Sequence, residues 1–282
     1  MNFVQTLKLY FKKNNFYTFS YNDARLYLKE RENPLNPLKL ISRSDKLSLY
    51  EISRIKFYWD NSLDTNDLPW LFNEVFFDFK DNPSSYSYDK VFNNKLDWVI
   101  DAGACEGFFS LLSSKLNIKK IIALEPNPIL ISSLKKTFEI NYNNASEFLT
   151  LQLGLGKNED VKYINFDTKS VCQSMIIDNA IDLNSIAVKI KSLDNIIEDN
   201  GIKNGNGLIK MDVEGYEMEA LLGSFDTLKN LKPKLAIAVY HDLHNANLCK
   251  EIILNANKSY NVEFRGKYAW ESPSRPYMLY AY

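Results

Sequence analysis

The rhythm of apolar and polar positions changes near residue 96, and the change divides the chain. Upstream, segments 6–16, 21–30 and 46–59 space their apolar residues three and four apart, as one face of a helix requires. Glycine is absent from the first ninety residues, and prolines 34 and 37 interrupt the pattern. This predicts a mainly helical N-terminal extension over residues 1–90, ending in a polar, turn-rich joint at 81–87. Its richness in Tyr and Phe suits burial, either as a cap over a site or as a homodimer contact.

Downstream, short apolar runs alternate with helical stretches, the signature of a parallel sheet with crossovers. Parallel strands are predicted at 98–101, 121–124, 149–153, 208–211 and 235–240. Segments 162–166 and 186–191 alternate residue by residue and read as a β insertion at the sheet edge. Segments 261–264 and 276–282 read as a closing antiparallel pair. One α/β domain over residues 91–282 follows, with a doubly wound sheet.

Composition narrows the class of protein. Hydrophobic residues at 45% and charged residues at 24% are ordinary globular values, so a folded core is expected rather than disorder. No apolar run approaches the roughly twenty residues of a membrane span, and the N-terminus lacks a signal-like apolar core, so a cytoplasmic protein is expected. With 34 basic and 35 acidic residues there is no electrostatic footprint for nucleic acid. Cys105, Cys172 and Cys249 are widely spaced and fit neither a disulfide framework nor a zinc pattern. No structural metal is expected.

The densest chemistry lies between residues 98 and 127. An apolar strand ends at Asp101, a turn bounded by Gly103 and Gly107 opens a helix, and the next strand ends at Glu125. Glycines let a ligand lie against backbone at a helix start, and an acid about twenty residues on can accept both hydroxyls of a ribose. The third glycine of a dinucleotide fingerprint is missing, and a carboxylate precedes the turn. Such a carboxylate repels a pyrophosphate and suits a cationic cofactor such as S-adenosylmethionine.

Three more stretches extend this pattern: Ile190-Lys-Ser-Leu-Asp-Asn, Lys210-Met-Asp212-Val-Glu214-Gly215-Tyr-Glu217, and Val239-Tyr-His241-Asp242. With Asp101-Ala-Gly-Ala-Cys-Glu-Gly and Glu125-Pro-Asn-Pro, they closely resemble the FkbM family of S-adenosylmethionine-dependent O-methyltransferases over residues 95–245. The resemblance implies a class I methyltransferase fold, a Rossmann-like sheet of seven strands whose last pair is antiparallel. It implies that Asp101, Gly103, Ala104, Gly107 and Phe108 line the methionine part of the cofactor, that Glu125 holds the ribose, and that Pro126 and Asn127 edge the adenine. After the third strand, Leu153-Gly154-Leu155-Gly156 carries none of the polar or acidic residues that related methyltransferases often place near the adenine, so backbone at Gly154 or Leu155 is expected to serve instead.

Asp212, at the end of the fourth strand, is expected to face the cofactor's amino group and the acceptor. The competing reading for Asp212 is a helix N-cap. Glu214 could grip a hydroxyl, and His241, at the end of the fifth strand, is the expected general base; His244 is expected at the surface. A magnesium ion between Asp212 and Asp242 is a secondary expectation and not the favoured one. Arg265, Tyr268, Trp270, Arg275 and Tyr277, with Cys172 and Ser174, could reach the acceptor. The acceptor is expected to be a small molecule or glycan hydroxyl. The competing readings are a nicotinamide-dependent oxidoreductase and a non-catalytic binding protein on a methyltransferase scaffold.

Overall fold

The computed structural model describes residues 6–7, 10, 20–30, 35–141, 147–165, 176–181, 185–242, 244–268 and 274–282. Its centre is a seven-stranded sheet. Five parallel strands, β4 (Trp98–Ala102), β5 (Lys120–Leu124), β6 (Glu147–Leu151), β11 (Gly207–Met211) and β12 (Lys234–Ala238), are closed by β13 (Val262–Tyr268) and β14 (Arg275–Ala281). The order is β6-β5-β4-β11-β12-β14-β13, with β14 antiparallel to β12 and β13. Every expected strand is present, the third shifted two residues towards the N-terminus and the fifth ending earlier, at Ala238.

Side chains on these strands alternate between two apolar layers, as the two-residue period of a strand buried on both faces demands. On one face, Ile100, Ile122, Ile209 and Ile237 pack with α5 (Leu193–Asp199), α6 (Glu217–Leu222) and α7 (Asn245–Ala256). On the other, Val99, Ile121, Leu208 and Ala236 pack with α3 (Phe108–Ser113) and α4 (Pro128–Asn141). The expected insertion is a separate sheet in the order β7-β10-β8-β9, made of β7 (Gly154–Leu155), β8 (Asp160–Asn165), β9 (Ile176–Ile177) and β10 (Ser185–Lys191).

The N-terminal part departs from expectation. Helix α1 (Tyr21–Glu30) forms where its spacing places it, but 46–59 is a hairpin of β2 (Leu47–Ile52) and β3 (Ile55–Asp60) beside β1 (Lys39–Arg43). The segment alternates as well as repeating at three and four, and Leu47, Ile52, Phe57 and Trp59 are buried. Its turn residues, Ser53 and Arg54, both hold positive φ, the geometry a tight hairpin needs but usually takes from Asn or Gly. Among the described residues the extension is therefore mixed, with one further helix, α2 (Leu68–Phe76).

The described part of the extension shares its core with the catalytic sheet. Phe57 and Phe72 meet Phe108 edge-on at 4.9 and 5.4 Å between ring centroids, and Ile52, Trp59 and Leu68 belong to the same apolar layer as Val99 and Leu134. Removing several such side chains costs about 3–5 kcal/mol each, against a total stability of about 5–15 kcal/mol. Deleting residues 1–85 is thus expected to abolish cooperative thermal unfolding; a sharp transition in calorimetry would show a separable appendage instead.

Candidate active site

The carboxyl ends of β4, β5 and β11 open onto a cleft of about 990 Å³ measured out to its mouth. At its floor, the turn after β4 is tied to β5: Gly103 and Ala104 both donate their N–H to the Leu124 carbonyl at 3.0 Å. Cys105 follows with φ 42°, a strained conformation for a residue with a Cβ, and its N–H donates to Glu125 Oε2 at 2.9 Å. Asn127 N–H donates to Glu125 Oε1, also at 2.9 Å. Two backbone donors therefore fix the carboxylate at the end of β5. Burial pushes Glu125 up to about 7, and does the same to Glu106 in the turn.

Of the residues expected to hold a cofactor, Gly103, Ala104, Glu125, Pro126, Gly154 and Asp212 line the cleft. The others do not. Asp101 is fully buried beneath it, accepting from Ser110 Oγ at 2.7 Å and lying 3.2 Å from Lys210 Nζ, so its charge is already matched within the protein. Gly107 caps α3 in the left-handed region, where an added Cβ would meet Leu134 and Phe138 rather than a ligand. Phe108 is enclosed by Phe57, Phe72 and Phe76. Asn127 is buried and works behind the lining: its N–H orients Glu125, and its side chain accepts from Ile129 N–H at the start of α4.

The opposite wall comes from the loop after β11. Asp212 Oδ2 accepts from the Tyr86 hydroxyl at 2.7 Å, while its Oδ1 is buried without a donor. Glu214 adopts φ 54° ahead of Gly215, a strained turn that places the residue in the cleft wall. His241 lies behind this wall, its Nε2 3.3 Å from Glu214 Oε2 and 3.6 Å from Asp212 Oδ1, and its Nδ1 3.0 Å from Glu217 Oε1. Glu217 is fully buried and accepts as well from Val213 N–H, Gly215 N–H and the Asn245 amide, so it pins both loop and histidine.

These contacts revise the role expected of His241. Burial alone would lower its pKa, but Glu217, Glu214 and Asp212 outweigh burial and hold it well above the ordinary range. An imidazolium has no lone pair with which to accept a proton. Glu214 shifts upward, chiefly through burial, and it is Glu214 that faces the cleft. Asp212, Glu217 and His241 each bring one ligand atom within 4.8 Å of the others, a set that could take a cation in place of the imidazolium proton. Asp242 is not part of it: this residue is exposed, and its carboxylate accepts the N–H of His244, itself exposed.

Five polar or charged cleft residues escaped the sequence reading: Glu74, Tyr86, Glu106, Lys210 and Tyr240. Glu106 and Lys210 sit inside recognised motifs, and Lys210 carries a charge at a position the strand pattern buries, a signal that was available. Glu74 and Tyr86 come from the extension, and nothing local marks them. The C-terminal aromatic and basic residues are mostly structural: Arg265 pairs with Asp23, Tyr277 donates to Glu74, and Arg275 stacks on Tyr268 and donates to the Tyr240 carbonyl. Trp270, Cys172 and Ser174 lie outside the described residues.

The pattern of a Methyltransferase FkbM domain matches residues 101–258, more than half of the chain. The chain belongs to the FkbM methyltransferase family. A curated relative, Methyltransferase 1 of Beauveria bassiana, is 29% identical over 149 residues, covering 46% of this chain and 59% of that protein. The crystal structure of Methyltransferase FkbM from Methylobacillus flagellatus KT superposes with a TM-score of 0.52 at 22% identity, over 75% of this chain and 48% of that one. This FkbM-family chain thus spans about half the length of the relatives it matches, and it shares with them the class I methyltransferase fold. Among the described residues no helix is long and apolar enough to cross a membrane.

Proposed function

We propose that the protein transfers a methyl group from S-adenosylmethionine to a hydroxyl of a sugar or glycosylated small molecule. The observation that carries this reading is the charge of the cleft: Glu74, Glu106, Glu125, Asp212 and Glu214 face it, with Lys210 the one base among the described lining residues. Such a surface opposes a nicotinamide dinucleotide, whose pyrophosphate would enter an acid-lined space. It suits a ligand with a ribose diol and two positive centres.

When bound, S-adenosylmethionine supplies a methyl group activated on a sulfonium sulfur. Glu125, fixed by two backbone donors, is positioned to accept the ribose hydroxyls. Gly154 and Leu155 line the cleft where the base would lie, and Asp212, also in the lining, is suited to the amino group. Alignment of acceptor and methyl carbon can supply much of the rate.

The acceptor end is built from Glu74, Tyr86, Glu214 and Tyr240. Carboxylates accept hydroxyl hydrogen bonds, and tyrosine rings offer apolar faces to a sugar. Glu214 takes the hydroxyl proton as the oxygen is methylated, and His241 with Glu217 holds it in place. A divalent ion has no part in this reading.

Incubation of the protein with methyl-labelled S-adenosylmethionine and a panel of neutral glycans and glycosides is expected to yield a product heavier by one methyl group on oxygen. Tight cofactor binding with no product from any acceptor would instead favour a binding protein on a methyltransferase scaffold.

A further inference from the structure

The one base among the described lining residues sits in an unexpected place. Lys210 is 5% exposed on the central strand β11, in register with Asp101 of β4, and both point to the face that carries the cleft floor. Its Nζ donates to the Gly103 carbonyl at 2.6 Å and lies 5.4 Å from the centroid of the Tyr86 ring. The 3.2 Å approach to Asp101 Oδ1 lacks hydrogen-bond geometry and leaves that oxygen without a donor. A lysine needed only to neutralise Asp101 could lie wholly beneath the floor, yet this one reaches the cleft surface.

Most of the nearby backbone donors are committed elsewhere. In the turn, Gly103 and Ala104 N–H bond to Leu124, Cys105 N–H to Glu125, and Gly107 N–H to Ala104. Beyond β11, Asp212 N–H bonds to Ala102 and Val213 N–H to Glu217. A ligand carboxylate entering this end of the cleft would meet Glu106 and Asp212 on either side, with one strong, compensating donor between them.

We propose that Lys210 anchors the carboxylate of the cofactor's methionine moiety. The fourth parallel strand then recognises the amino-acid end of the ligand through Lys210 and Asp212, while β5 recognises the nucleoside through Glu125. Lys210 acts through direct contact with the ligand, and its bond to the Gly103 carbonyl aims it. This assignment rests on the S-adenosylmethionine reading above, and its test separates the two.

The test is calorimetric binding of two ligands: S-adenosylhomocysteine, which keeps the amino-acid end, and 5′-methylthioadenosine, which lacks it. The variant is Lys210→Met combined with Asp101→Asn, so that no buried carboxylate is left unpaired. The variant is expected to bind S-adenosylhomocysteine on the order of 10- to 100-fold more weakly, the span for losing a buried charge-assisted hydrogen bond. Its affinity for methylthioadenosine should stay within about threefold of wild type, well below that span. Equal weakening of both ligands, or of neither, would overturn the assignment. If the wild-type protein binds neither ligand, the cofactor reading itself fails, and this outcome is distinct from either of those.

Discussion

Gly103→Ala is expected to remove both the fold's stability margin and the cofactor site in one substitution. Gly103 has φ +74°, where a side chain is strained from the outset, and a Cβ built there would lie 1.8 Å from the Asp212 carbonyl oxygen and 2.9 Å from its carbon. Those atoms are backbone at the end of β11 and cannot swing aside. Either the turn after β4 lifts off or the end of β11 is pushed away, and each movement separates the two walls of the cleft. Strain and displacement together should cost roughly 3–5 kcal/mol of folding free energy. A drop of roughly 10 °C in the melting temperature follows for a chain of this size. S-adenosylhomocysteine should fail to raise the melting temperature of whatever folded protein remains. A variant that melts as wild type and is still stabilised by the ligand would show that the close approach of β4 and β11 is not required.

That contact explains why so much of the fold was legible in the sequence. A strand buried on both faces must be short and largely apolar, and its turn must supply glycine where another strand passes close, so β4, β5, β11 and β12 announce themselves. Edge elements announce themselves less. The β2–β3 hairpin was hidden because its turn is Ser53-Arg54 with no Asn or Gly, and because apolar residues such as Leu49, Ile52, Ile55 and Trp59 fall three and four apart, as on a helix face. Propensity is local, whereas the choice between helix and hairpin here was made by Phe57 and Trp59 packing against a distant layer.

The candidate site was legible by position and less so by role. Motif spacing located Glu125, Gly103, Asp212 and Glu214, each of which ends a strand or turns away from one. It misjudged Asp101 and Phe108, because a strand-end carboxylate or aromatic looks the same whether its side chain reaches the cleft or lies beneath it. The register of β4 with β11 decides between those outcomes by placing Lys210 opposite Asp101, and register is a tertiary fact. His241 illustrates the same limit for charge. A histidine at a strand end suggests a base until three carboxylates from the preceding loop and helix are seen around it.

The last prediction turns on that difference in role. Glu214→Gln keeps the side chain's shape and removes its ability to accept a proton, so turnover is expected to fall on the order of 10²–10⁴-fold, the usual contribution of a positioned base. The pH profile of kcat carries the sharper information, because it reports groups in the bound complex. A carboxylate base works only when ionised. Burial raises the pKa of Glu214 above that of an ordinary glutamate, so kcat should climb with pH through that raised value and then level off. His241, held well above its ordinary range, would as the base place the rising limb on the alkaline side instead. In His241→Gln the buried cation that favours an ionised Glu214 is gone, so the limb should move to higher pH while turnover falls less than in Glu214→Gln. A rising limb that stays alkaline in wild type and vanishes only in the His241 variant would return the proton to the histidine. A limb that shifts when the histidine is removed, and disappears only when Glu214 is, assigns the proton to the carboxylate and leaves the histidine as the charge that tunes it.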